Sequence, residues 1–199
     1  RNNEAYVTNS ASATVSVIGL KGKGENKVIA EIPVGTEPRG CALTPSGNRL
    51  YVANHTAGTV SVIDTSTRTV IDTVEIGGNP TAIAITDDGD KTDDDERVFV
   101  TEFFAELIPG GHGEGFDEGK HGIVSTFEVD NPGMVTRMTL SLLADSGFTA
   151  DRTNFCPQSA STPPHSDIFC PDLNAAPGSD TIIKDPHGVF PNQLHAALI

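Results

Sequence analysis

From Tyr6 to Gly19 the chain reads YVTNSASATVSVIG, and from Tyr51 to Asp64 it reads YVANHTAGTVSVID. In both stretches short runs of β-branched and aromatic residues alternate with small polar ones. A period of two is the signature of half-buried or fully buried strands rather than of an amphipathic helix. The two stretches agree at eight of fourteen positions and start 45 residues apart. Their flanks repeat as well: VIAEIPVG (Val28 to Gly35) returns as VIDTVEIG (Val70 to Gly77), and EPRGCALTPSGNRLYV is echoed by NPTAIAITDDGD followed by RVFV. Each unit therefore holds four short strands separated by Gly, Asn, Asp, Pro and Ser, which predicts a four-stranded antiparallel meander.

One meander of this size cannot bury both of its faces, so copies must stack, and units of about 40 to 45 residues suit blades set radially round a channel. The expected fold is all-β: a β-propeller with about three four-stranded blades, part of a larger six- to eight-bladed ring, seven being the number expected. Blade 1 is assigned to residues 1–36, blade 2 to 37–78 and blade 3 to 79–142. A long insertion follows at 143–189, and residues 190–199 start blade 4. In blade 2 the strands are predicted at Pro38 to Leu43 (innermost), Leu50 to Ala53, Thr59 to Ile63 and Val70 to Ile76 (outermost). Asn9 and Asn54 are read as turn formers at the ends of the second strands, which also accounts for the sequon Asn54-His55-Thr56.

These units resemble the YVTN-repeat β-propellers of bacterial and archaeal extracytoplasmic and surface proteins. Tyr6-Val7-Thr8-Asn9 spells the signature and Tyr51-Val52-Ala53-Asn54 nearly does. Phe99-Val100-Thr101-Glu102 departs from it by losing both Tyr and Asn. The resemblance implies a protein of the periplasm, the cell surface or the medium. It implies little about activity, because propellers host many functions.

Net charge bears on partners. The 199 residues carry a formal charge of -14, and no stretch concentrates Lys and Arg, so nucleic acid is excluded as a partner on electrostatic grounds. No apolar run reaches the roughly 20 residues of a membrane helix. Cys156 and Cys170 lie in a Pro- and Ser-rich stretch; a disulfide between them would close a loop of about 15 residues, worth about 3 kcal/mol, and would imply an oxidising compartment. Two free thiols are the alternative.

Departures from the repeat mark the candidate chemistry. Long insertions follow the second strand of blade 3 (Glu102 to Gly122) and its outermost strand (from Leu143), and in a meander both connections fall on one face. His55, His112, His121, His165 and His187 travel with that face, while His195 stands where the repeats have Ala42 and Ala84. Imidazoles suit copper and other transition metals, so His112, His121, His187 and His195 are a candidate metal set, although no HxH or HxxxH pair supports it; solvated loop histidines are the plainer alternative. In the first-to-second-strand turn of blade 3, Asp88, Asp90, Asp93 and Asp95 form a candidate calcium set among seven carboxylates in ten residues, without the spacing of an EF-hand. Classical nucleophile, P-loop and dinucleotide motifs are absent. The expectation is a non-catalytic scaffold whose inserted loops bind a protein partner or ligand, with a further chain segment or subunit completing the ring. The alternatives are a redox domain with His-bound copper and a surface-layer or filament subunit.

Overall fold

A computed structural model of the chain describes residues 3–110 and 120–140. Within these residues the chain forms two compact units, one comprising 3–104 and 123–138 and the other 105–110, 120–122 and 139–140. No α-helix occurs among the described residues, only a 3-10 turn at Gly22–Gly24.

The larger unit holds three antiparallel sheets. Strands β1 (Glu4–Asn9), β2 (Thr14–Gly19) and β3 (Lys27–Pro33) form the first, in that order. The second contains β4 (Pro38–Leu43), β5 (Arg49–Asn54), β6 (Thr59–Asp64) and β7 (Thr69–Glu75), again in chain order. In the third, β8 (Pro80–Ile85) pairs with β9 (Arg97–Glu102), and β12 (Ile123–Glu128) and β13 (Asn131–Thr139) follow outward. In the smaller unit, β10 (Glu106–Leu107) pairs with β11 (Lys120–His121). The sheets are the three meanders read from the alternation, the first lacking an innermost strand.

Alternation explains how the sheets stack. Along β5, Leu50 and Val52 point to the first sheet, where they meet Val15, Val17 and Ile32, while Tyr51 and Ala53 point to the third, where they meet Val98, Val100 and Phe127. Both faces of β5 are thus covered, and Leu50, Tyr51, Val52 and Ala53 are all buried. At roughly 1.5–3 kcal/mol for each large apolar side chain removed from water, these two seams dominate the unit's stability. On β1 the corresponding outward residue, Val7, is 44% exposed because no sheet lies beyond it among the described residues.

Polar ties fix the stacking angle. Arg49 Nη1 donates to the Val129 carbonyl at 2.8 Å, Thr8 Oγ1 to the Arg39 carbonyl at 2.6 Å and Arg68 pairs with Glu4 at 2.6 Å. Asn9 and Asn54 behave differently from their reading as turn formers. Asn54 Nδ2 donates across the strand pair to Thr59 Oγ1 (3.0 Å) and Ser61 Oγ (2.9 Å), and Asn9 does the same to Thr14 and Ser16. Neither adopts a left-handed backbone. Their carbonyls close the turn, and their amides cross-link strands two and three. Gly35, on the link into the second sheet, packs so closely on Asn54 that a Cβ would stand 2.6 Å from its side chain, so the amide is sealed under backbone.

Candidate functional site

Second-to-third-strand turns and the links from one sheet to the next emerge at one end of the larger unit. There the chain assembles Glu37 and Arg39 from the start of β4, His55 and Thr56 from the β5–β6 turn, and Phe103 and Phe104 from the residues after β9. Glu37 adopts a left-handed backbone, φ 56°, which costs a residue with a Cβ about 1 kcal/mol or more. Its carbonyl accepts the His55 N–H at 2.9 Å. Its carboxylate accepts from Thr56 Oγ1 and from Arg39, whose Nη2 lies at 2.7 Å. Those bonds, Thr56 first and Arg39 second, hold the Glu37 carboxyl below its ordinary range.

Arg39 also lies over the Phe103 ring, 5.4 Å from its centroid. His55 meets the same ring edge-on at 5.4 Å, and Phe104 does so at 4.9 Å. Phe103 is half-buried, whereas Phe104 is 56% exposed. A cation, an imidazole and two phenyl rings thus share one surface, the combination that gives large contact area with few rotors.

His55 is buried rather than solvated. Its Nδ1 faces the Pro80 carbonyl at 3.2 Å and Thr81 Oγ1 at 3.3 Å. A carbonyl only accepts, so the proton resides on Nδ1 and the ring is oriented by the neighbouring sheet. His121 lies on β11 in the smaller unit, opposite Glu106. His112, His165, His187 and His195 lie outside the described residues, as do Cys156 and Cys170. Cys41, on β4, packs against the seam between the first two sheets, and burial pushes its thiol up.

At the opposite end of the third sheet sits the acidic turn between β8 and β9. Of the residues expected to bind calcium, Asp88 and Asp95 come together, joined by Glu96, with carboxylate oxygens all within 4.8 Å of one another. Asp93 instead accepts from Ser46 N (3.0 Å) and Ser46 Oγ (2.5 Å) on the β4–β5 turn, and Asp90 accepts from Thr92 N at 2.7 Å. A cleft of about 440 Å³ opens beside this turn, lined by Glu4, Leu43, Pro45, Asp87 and Lys91 among others.

Several residues of these arrangements were not singled out by the sequence. Phe103 and Phe104 carried a signal, two consecutive phenylalanines opening a Gly-rich insertion. Arg39 and Glu37 carried none, since each matches a polar position of an ordinary link. Glu102 was visible only as the loss of the signature Asn. It occupies the Asn54 position in β9, buried, and accepts from Ser125 Oγ at 2.9 Å and from Arg137 through two bonds, Nε at 3.0 Å and Nη2 at 2.5 Å.

In fold the chain is similar to the hydrazine synthase of Kuenenia stuttgartiensis, to which it is 22% identical with a TM-score of 0.53, over 70% of this chain and 33% of that one. The fold is a β-propeller's. A curated relative, antigen Lp49 of Leptospira interrogans, is 32% identical over 128 residues, covering 57% of this chain and 26% of the antigen. This chain therefore spans about a quarter of that relative's length. No family model matches it.

Proposed function

We propose that the chain is a non-catalytic propeller scaffold, displayed on the cell surface or secreted, that binds a protein partner through the rim bearing Glu37, Arg39, His55, Thr56, Phe103 and Phe104. The observation that carries this reading is Phe104, 56% exposed on top of a ring already braced by Arg39 and His55. Aromatic and Arg side chains dominate the energetics of protein interfaces, and this cluster is ordered before a partner arrives, so little rotamer entropy remains to be lost. The left-handed backbone at Glu37 adds support, because a residue held there against its preference serves to aim its side chain at Thr56 and Arg39. The relative's name, an antigen, supports the location.

A photoreactive benzoylphenylalanine at position 104 tests the reading in cells that express the chain. A discrete protein adduct is expected from position 104 and none from Ile71, which is 54% exposed on the outermost strand of its sheet. No adduct at 104, or the same adducts at both positions, contradicts the proposal.

A further inference from the structure

Glu96 precedes β9 by one residue, and alternation places it on the same side as Val98, Val100 and Glu102. That side is the packed one, and Glu96 is only 2% exposed although it belongs to a run of acidic residues. Its Oε2 is buried without a hydrogen-bond partner. The same side chain meets the carboxylates of Asp88 and Asp95, with one oxygen of each of the three lying within 4.8 Å of the others. Among the described residues, no Lys or Arg pairs with any of the three. Burial pushes the Glu96 carboxyl above its ordinary range; the Asp88 backbone N–H opposes this, and the Asp95 and Asp88 carboxylates reinforce it.

An acidic run in solvent spreads its charges, whereas here three carboxylates converge and one turns inward to present a bare oxygen. A bound cation relieves that convergence. Oxygens bound to one Ca²⁺ at 2.3–2.6 Å stand at most about 5 Å apart, and the observed separations fall within that limit. The donor set is all hard oxygen, with no imidazole or thiolate, which selects against transition metals. Ca²⁺ also tolerates irregular geometry and completes its shell with carbonyls and water, whereas Mg²⁺ demands a near-ideal octahedron. The neighbouring carboxylates are already engaged, since Asp93 grips Ser46 and Asp90 and Asp94 both bond Thr92.

We infer that Asp88, Asp95 and Glu96 form a calcium site at the β8–β9 turn of the third sheet. The ion replaces mutual repulsion with a cross-link between the turn and the root of β9. Because Asp93 in the same turn holds Ser46 of the second sheet, the ion also braces the seam between the two sheets.

Calorimetric titration of the chelator-treated intact chain with CaCl₂ at neutral pH tests the site. Saturable binding of one ion is expected. Glu96→Gln should weaken it about tenfold or more, since ligand charge sets affinity in such sites. Asp88→Asn, a change at an exposed position that leaves the packing alone, should do the same. The double variant Asp90→Asn/Asp94→Asn should stay within about threefold of the parent. The proposal is overturned if no saturable binding occurs, as when Glu96 simply shares a proton with Asp95, if Glu96→Gln or Asp88→Asn binds as the parent does, if the double variant loses as much, or if Mg²⁺ binds more tightly than Ca²⁺.

Discussion

Strand β9 is flanked by two buried glutamates that share one side of it and meet opposite circumstances. Glu102, at its end, receives two bonds from Arg137 and one from Ser125. Glu96, just before its start, faces two further carboxylates. Burying a charge is tolerated when a partner and hydrogen bonds replace the lost water and is costly otherwise. The first glutamate is therefore internally balanced and structural, while the second meets no Lys or Arg among the described residues.

The comparison extends to Asn54, which holds in the second sheet the place Glu102 holds in the third. A neutral amide there needs only the two hydroxyls it has, and its unpartnered Oδ1 is a tolerable loss for an uncharged group. Changing Asn to Glu in the third copy required Arg137 on β13 as counter-charge. It also keeps Gly78 a glycine, since a Cβ there would collide with the Glu102 carboxylate.

The largest effect expected from breaking this comparison is at Arg137. Arg137→Met leaves Glu102 buried and unpaired. Losing one partner of a buried pair costs 3–5 kcal/mol, and because the Arg137 side chain is 38% exposed we expect the lower end, about 3 kcal/mol, in urea unfolding. Saturating calcium comes next. At one hundred times its dissociation constant, an ion that binds only the folded state adds about 2.7 kcal/mol, seen as a rise in melting temperature that a tenfold weaker site in Glu96→Gln cuts to about half. Asn54→Ala, which strands Thr59 and Ser61 beneath Gly35, should cost about 1.5 kcal/mol in the same unfolding assay.

A smaller effect concerns pH. In chelator, the folded-state pKa of Glu96 lies above its unfolded value, so the native chain binds the extra proton. Its stabilising contribution is complete below the ordinary glutamate pKa and disappears as pH rises through the raised value. The stability difference between the parent and Glu96→Gln should therefore widen with rising pH across that window in chelator and lose this trend in calcium. A difference that stays flat in chelator would mean that Glu96 is not held above its ordinary range.

Much of the architecture was legible because repetition and alternation are properties of the chain itself. Tyr6 and Tyr51 aligned the copies, and the spacing of Leu50, Val52, Tyr51 and Ala53 already implied two packed faces. Partner identity was not legible in the same way. Asn9 and Asn54 sat where a turn was due, and nothing in their own segments showed that their amides reach across to hydroxyls five and seven residues on. The calcium candidates were chosen for abundance of charge, which included Asp90 and Asp93 and passed over Glu96. Yet the alternation Glu96, Val98, Val100, Glu102 was in the sequence, and it marks both glutamates as inward-facing. Phe104 acquires meaning only through Phe103, Arg39 and His55, which three separate connections bring together.

The most direct test is to compare Glu96→Gln and Glu102→Gln by urea unfolding in chelator at neutral pH. Glutamine keeps the shape and removes the charge. At position 96 it relieves repulsion and can donate to Asp88 or Asp95, so that variant should be more stable than the parent. At position 102 it discards the charge-assisted bonds to Arg137, so that variant should be less stable by about 2 kcal/mol. Changes of the same sign at the two positions would contradict the distinction drawn between the two ends of β9.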